Sequence, residues 1–299
     1  MDEEILQNYL KAGKIASAVR EESRKFIKPG MTLLDIAEKI EKLITDNNAL
    51  PAFPVNLSLN QKAAHYTPPK NDRTVFTKDD VLKVDIGVSV DGFIGDTAYT
   101  ITTNTEYNKL VKASEEALKA ALELSKPNMQ LSKLSEAIEN TIKSFGFNPI
   151  ANLTGHGLDF YDLHADPQVP NIKINADYKL SENQVIAIEP FATTGIGMVK
   201  DTTELFIFSS IPEKIKPIRN ADARKILDFV SQFNGLPFAQ RWLEKSLNMS
   251  EFKIKIAMRE MLNNDIINPY PVLSEVGGGI VSQAEHTVII RDEPIITTK

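Results

Sequence analysis

The sequence predicts an α+β fold of two related halves with pseudo-twofold symmetry and a helical insertion late in the chain. Three observations predict it. A helix-start motif recurs at an offset of 98 residues, an apolar strand ending on an acid recurs at a comparable place in each half, and a run of amphipathic helices sits between strand-like segments near the end.

The first repeat pairs KPGMTLLDIAEKI, residues 28–40, with KPNMQLSKLSEAI, residues 126–138. Lys28/Lys126, Pro29/Pro127, Met31/Met129, Leu33/Leu131, Glu38/Glu136 and Ile40/Ile138 match, with Ile36 opposite Leu134. Each copy reads as an amphipathic helix opening after a Pro-containing turn, its apolar residues three and four apart. Each follows another helical segment, residues 3–27 and 106–125. The second repeat sets Val81-Leu82-Lys83-Val84-Asp85 beside Val185-Ile186-Ala187-Ile188-Glu189. Two helix-helix-strand halves place a site where they meet, and a period this long excludes a solenoid.

From about residue 206 to 270 the character changes. Ala221 to Phe233, Phe238 to Leu247 and Glu251 to Asn264 read as helices, separated by Gly235, Pro237 and Ser250. Such a block is a wall, lid or docking surface rather than the source of chemistry. Strand character returns in Ile280 to Ile290. The chain thus reads as one catalytic domain, 1–299, with a helical subdomain, 206–270, inserted in it.

Composition narrows the function. A formal net charge of −6 offers no broad cationic field for nucleic acid or an anionic membrane. The absence of cysteine removes thiol catalysis, thiolate ligands and disulfides, leaving carboxylates, imidazoles and water for any metal. An acidic start, Met-Asp-Glu-Glu, is unlike a secretory signal, and no apolar run reaches bilayer length. The expected setting is the cytoplasm, and nothing in the sequence requires more than a monomer.

Val84 to Val90 and Phe93 to Thr102 flank Asp91-Gly92, a favoured two-residue hairpin turn because both positions accept positive φ. In that register Val90 opposes Phe93 and Asp85 opposes Ala98, so Asp96 lies diagonal to Asp85 on the same face. Two facing carboxylates in an apolar hairpin repel and resist burial unless a cation joins them. Their alternative is a solvated face. His156 stands between two glycines in Thr154-Gly155-His156-Gly157, where the backbone can approach a site closely. Glu189 ends an otherwise apolar strand closed by Pro190, and Glu285 lies on the final strand. Singly, each is an ordinary structural residue. Together they are an oxygen-rich set with one imidazole that suits Mn, Fe, Co or Zn. His65 and His164, one in each half, complete the candidates, while His286 falls on the opposite strand face from Glu285 and reads as structural.

The residues that carry this pattern resemble a known family, the type II methionine aminopeptidases of the short archaeal kind. The matching segments are PAFPVNLSLNQKAAHYTP, VDIGVSVDGFIGDTAYTI, GHGLDFYDLHA, AIEPFATTGIG, FNGLPFAQRWL and PYPVLSEVGGGIVSQAEHT, spread over nearly the whole chain. The resemblance implies the pita-bread fold, two divalent metal ions, and removal of initiator methionine from nascent polypeptides whose second residue is small. It implies that Asp85 chelates one ion, Asp96 and Glu285 bridge both, and His156 with Glu189 holds the other. It further implies that His65 and His164 handle the scissile amide, with Glu189 as general base, and that Phe53, Phe191, Tyr270 and Leu273 wall the methionine pocket. Where animal relatives place another histidine on that wall this sequence has Ile207, so that contact is not carried over. Ribosome docking is left open, and no specific nucleic acid is implied. Two rivals stand beside this reading. One is a proline-directed peptidase of the same fold, usually with an extra N-terminal domain. The other is a non-catalytic scaffold that binds ribosomes or RNA, of a kind that loses ligands.

Overall fold

The computed structural model describes residues 1–175, 177–214 and 218–299. Its helices are α1 (Glu3–Phe26), α2 (Leu33–Asp46), α3 (Asn108–Glu123), α4 (Leu131–Ser144), α5 (Ala221–Val230), α6 (Gln240–Ser246) and α7 (Glu251–Asn263). Strands of three or more residues in the first half are β1 (Asn56–Leu59), β2 (Lys62–Ala64), β3 (Val81–Val90) and β4 (Phe93–Thr102). The second half holds β5 (Thr154–Asp159), β6 (Asp162–Pro170), β7 (Val185–Ile188), β8 (Phe191–Thr193) and β9 (Val199–Ser210). The chain then closes with β10 (Ile267–Glu275), β11 (Val281–Gln283) and β12 (Glu285–Ile289).

The sequence repeat is a structural one. Leu33, Ile36 and Ile40 of α2 and their counterparts Leu131, Leu134 and Ile138 of α4 are all buried. Both helix entries are tied down alike. Gly30 N–H donates to Phe76 C=O and Asn128 N–H to Leu180 C=O, each at 2.8 Å. Phe76 N–H returns to Met31 C=O and Leu180 N–H to Met129 C=O, each at 2.9 Å. The mismatch between the copies at this point has a backbone reason. Gly30 has φ +98° and Asn128 φ +65°, and glycine and asparagine are the residues that enter the left-handed region most readily.

The largest sheet runs β3-β4-β12-β7-β5-β6, with β1 on the outer side of β3. Its centre is the β4–β12 junction, so the pseudo-twofold relates β3-β4 to β7-β12. One face packs on helices: Val84, Ile86 and Val88 meet the core of α1 and α2, and Ile186, Ile188 and Val288 meet that of α3 and α4. Period-two alternation turns the intervening side chains to the other face, where the site lies. The hairpin has the expected register, Val90 opposite Phe93 and Asp85 opposite Ala98. Its turn residues Asp91 and Gly92 have φ +49° and +86°, the two positive angles that this turn needs.

The helices expected between 206 and 270 are present, but both ends of that stretch are strand. β9 pairs antiparallel with β10, Ile207 opposite Tyr270. The segment expected as helix from Phe238 begins instead as a strand pair, Phe238–Ala239 against Phe208 and Ile207. Arg241 of α6 is ion-paired to Glu41 of α2, and Trp242 Nε1 donates to Glu41 Oε2 at 3.0 Å. These contacts fasten the insertion to the first half. No described helix is long and apolar enough to cross a membrane.

Candidate metal centre

Five successive strands of the large sheet each deliver one ligand-type side chain to one face. Asp85 comes from β3 and Asp96 from β4, where it opposes Gly87. Glu285, on β12, lies opposite Ala98, the residue that also faces Asp85. Glu189 follows the last residue of β7, and His156 of β5 lies opposite Ala187. Adjacent strands are about 4.8 Å apart, so residues from distant parts of the sequence converge. Donor atoms of Asp96, His156 and Glu285 all lie within 4.8 Å of one another. His156 Nε2 is 3.9 Å from Asp96 Oδ2 and 3.8 Å from Glu189 Oε1.

Local structure holds these groups in place. β4 and β12 share few ladder positions, and threonines fill the gaps. Asp96 N–H donates to Thr287 Oγ1 at 2.8 Å, and Thr287 Oγ1 donates to Asp96 C=O at 2.9 Å. Thr97 Oγ1 donates to Glu285 C=O at 2.9 Å. The last strand expected from Ile280 to Ile290 is broken at Ala284, and its two parts join different sheets. That switch sets Gln283 beside the site, its Nε2 donating to Asp85 Oδ2 at 3.4 Å and to Glu189 Oε2 at 3.2 Å.

The glycines around His156 act through close approach of strands. A Cβ on Gly155 would lie 2.3 Å from Ala187 O, and one on Gly157 would lie 2.2 Å from Asp166 O. Gly155→Ala is therefore expected to force β5 away from β7, at a cost of about 1–3 kcal/mol, and to weaken metal binding through His156. Thermal unfolding and metal titration of this variant check it; an unchanged midpoint and affinity would count against this account.

The electrostatics fit a cation. Asp96 and Glu285 are 2% exposed, and no lysine or arginine is among the residues that line the cavity. Asp85 Oδ1, Asp96 Oδ1 and Glu285 Oε2 are buried without a hydrogen-bond partner. Burial pushes the Asp85 carboxyl up to about 7 against the Gln283 hydrogen bond. Asp96, Glu189 and Glu285 are raised well above the usual carboxylate range by burial first and then by repulsion from their acidic neighbours. Burial lowers His156 to about 4, so the imidazole is neutral. Its Nδ1 lies 3.2 Å from Gly157 O, which makes Nδ1 the protonated nitrogen and leaves the Nε2 lone pair facing the carboxylates. Like charges, orphaned oxygens and an aimed lone pair form a donor set that can hold a metal ion.

The ligands line one side of a cavity of about 220 Å³. The cavity also gathers every other residue that the sequence suggested for the site: His65, His164, Phe53, Phe191, Tyr270 and Leu273. His65 adopts φ +63°, and its Nδ1 is 3.2 Å from Pro271 O. The His164 ring packs on those of His156 and Tyr270, with centroids at 4.8 and 6.0 Å. Burial depresses His164 to about 3, helped by His156 and His65. His286 faces the helices, its Nδ1 2.8 Å from Thr298 Oγ1.

Among the residues not foreseen are Gln283, which bonds two of the carboxylates, and Asn56, Leu163 and Pro237, which line the cavity. Alternation along the last strand puts Gln283 on the face of Glu285 and could have found it. Asn56 and Pro237 arrive through long-range pairing, for which the sequence holds no local signal.

Comparisons agree with the geometry. A model of metallopeptidase family M24 matches residues 7–231. The methionine aminopeptidase of Pyrococcus horikoshii is 44% identical over 97% of this chain and 97% of its own. That of Thermococcus onnurineus is 48% identical over 95% of this chain and 96% of its own. The crystal structure of a methionine aminopeptidase from Thermotoga maritima, 24% identical, shares the fold, with a TM-score of 0.72 over 100% of this chain and 98% of that one. The expected pita-bread architecture is thus the observed one. With a buried Asp/His/Glu cluster in that fold and archaeal methionine aminopeptidases alike from end to end, the chain belongs to metallopeptidase family M24.

Proposed function

We propose that this chain removes the initiator methionine from nascent polypeptides whose second residue is small, with two divalent ions held by Asp85, Asp96, His156, Glu189 and Glu285. One observation carries the reading: five ligand-type groups floor a cavity whose walls are Phe53, Phe191, Ile207, Tyr270 and Leu273. An unbranched, polarisable thioether packs well against such rings. Co, Mn, Fe and Zn all suit the oxygen-rich donor set. Bound there, the ions would polarise the scissile carbonyl and acidify a water molecule.

The chain's own groups do the rest. Glu189 is the general base, a carboxylate that takes a proton from the attacking water and passes it to the leaving amine. His65, its Nδ1–H committed to Pro271 O, presents Nε2 as an acceptor for the scissile amide N–H. His164 is free of such a commitment and donates to the carbonyl oxygen as negative charge develops there. The substrates are N-termini of nascent chains in the cytoplasm, reached by a monomer. Neither a membrane nor specific nucleic acid is a partner, in keeping with the net charge of −6, and a ribosome contact enters only as the place where such N-termini emerge.

The test is a peptidase assay on Met-Ala and Met-Leu peptides, using metal-stripped protein with each ion added back. Methionine release from Met-Ala, dependent on metal and much slower from Met-Leu, is the expected result. Cleavage of Xaa-Pro peptides instead would move the activity to the proline-directed peptidases. In the same assay His164→Ala should lower turnover about 10²-fold with metal content unchanged; loss of metal would make His164 part of the binding site rather than of the chemistry.

A further inference from the structure

Asn56 is 6% exposed and lines the cavity, yet its Oδ1 has no hydrogen-bond partner. A buried amide in a structural role satisfies both ends, and an orphaned acceptor calls for an explanation. The other end fixes which atom is free. Nδ2 donates to Pro54 C=O at 2.9 Å, so Oδ1 is the atom left for a ligand.

Its position is set by the sheet. Asn56 lies directly opposite Asp85 in the β1–β3 ladder, and directly opposed residues share a face with Cβ atoms about 5 Å apart. Leu57, the next residue, packs into the helix-side core, which turns Asn56 to the side of the metal ligands. Asp85 Oδ1 is itself unpartnered. With Asp85 assigned to the metal, Asn56 Oδ1 is the acceptor left in this corner of the cavity, and it calls for an N–H donor.

The geometry points to Asn56 Oδ1 as the group that accepts a hydrogen bond from the substrate's free α-amine, making it a substrate-binding residue. This rests on the aminopeptidase reading above. A methionine thioether has no proton to give. A peptide's first residue offers donors at its α-amine and at the scissile amide, and His65 Nε2 takes the amide. The remaining N–H groups are those of the α-amine, the feature that separates a chain end from an internal peptide bond. Asn56 thereby contributes to the restriction to free N-termini.

The test compares two ligands that differ only in that amine, methioninamide and 4-(methylthio)butanamide. Their affinities are measured by calorimetry and by competition against a Met-Ala peptide, with the metal-loaded chain and with Asn56→Leu, Asn56→Ala and Asn56→Asp. The Leu and Ala variants should weaken methioninamide binding about tenfold or more and leave 4-(methylthio)butanamide unchanged, with wild-type metal content by mass spectrometry. Asn56→Asp keeps an acceptor and should retain methioninamide affinity. Equal loss for both ligands, loss for neither, a drop in metal content, or an Asp variant as weak as the Leu variant would each overturn the assignment. If the wild-type chain cleaves Met-Ala peptides, such a result removes Asn56 alone; if it neither cleaves them nor binds either ligand, the methionine reading fails and this one with it.

Discussion

Asp96→Ala is expected to abolish metal-dependent release of methionine from a Met-Ala peptide while the chain still folds. The loss should be at least about 10³-fold, because polarisation of carbonyl and water by a metal is worth several kcal/mol and each 1.36 kcal/mol is tenfold in rate. Asp96 carries this weight because its donor atom clusters with those of His156 and Glu285. The fold survives because β4 is held there through the backbone: Thr287 Oγ1 bonds both the N–H and the C=O of Asp96. Removing the carboxylate also relieves repulsion among buried acids. Turnover, metal content by mass spectrometry and thermal unfolding together check this. Full activity in the variant would sink the site assignment, and an unfolded variant would refute the claim that the backbone holds the strand.

Stripping the metal should make stability fall as pH rises above about 6.5. The sign follows from linkage. Asp85 is held at about 7 in the folded chain, and Asp96, Glu189 and Glu285 are raised well above their ordinary values, whereas unfolded carboxyls ionise near pH ~4. The metal-free folded state therefore keeps protons that the unfolded state has lost, and stability declines with rising pH through the folded values. Each retained proton sets a slope of about 1.4 kcal/mol per pH unit. Histidines work in the opposite direction. His156 is held at about 4, His164 and His286 at about 3, so they favour the folded state above their unfolded pKa and oppose it as pH falls. Their contribution is complete above about 6.5. Buried Lys83, which burial holds well below its ordinary value, also opposes the carboxyls. It does so with and without metal, so the difference between chelator and added ion reads the carboxyls. Unfolding midpoints between pH 6.5 and 8.5 should fall in chelator and hold level with added Mn²⁺. A metal-free midpoint that rose over this window would show that the four acids are not a buried, mutually repelling cluster.

Much of the fold is local in origin and legible for that reason. The paired helix entries follow from a left-handed residue after Lys-Pro, glycine in one copy and asparagine in the other, and from apolar spacings that repeat. The Asp91-Gly92 turn dictates the hairpin register, and with it the shared face of Asp85 and Asp96. Chain order alone also separated His286 from Glu285, since neighbours on a strand point to opposite faces. The ends of the insertion are strand because Phe206 to Ser210 and Ile267 to Tyr270 pair with each other. No short-range pattern carries that partnership.

The sequence by itself determined which side chains could bind a metal: Asp85 and Asp96 through turn geometry, Glu189 through the repeat, and His156 and Glu285 through likeness to a family. Tertiary structure alone decided that all five meet. Five neighbouring strands, brought together where two half-sheets join edge to edge at the β4–β12 pair, turn the same face to one cavity, and strand order is a long-range property. It also decided the supporting groups, Gln283 between two carboxylates and Asn56 opposite Asp85. An amide reads as structural in a sequence, and only the burial and pairing of each of its atoms shows which end is left for a ligand.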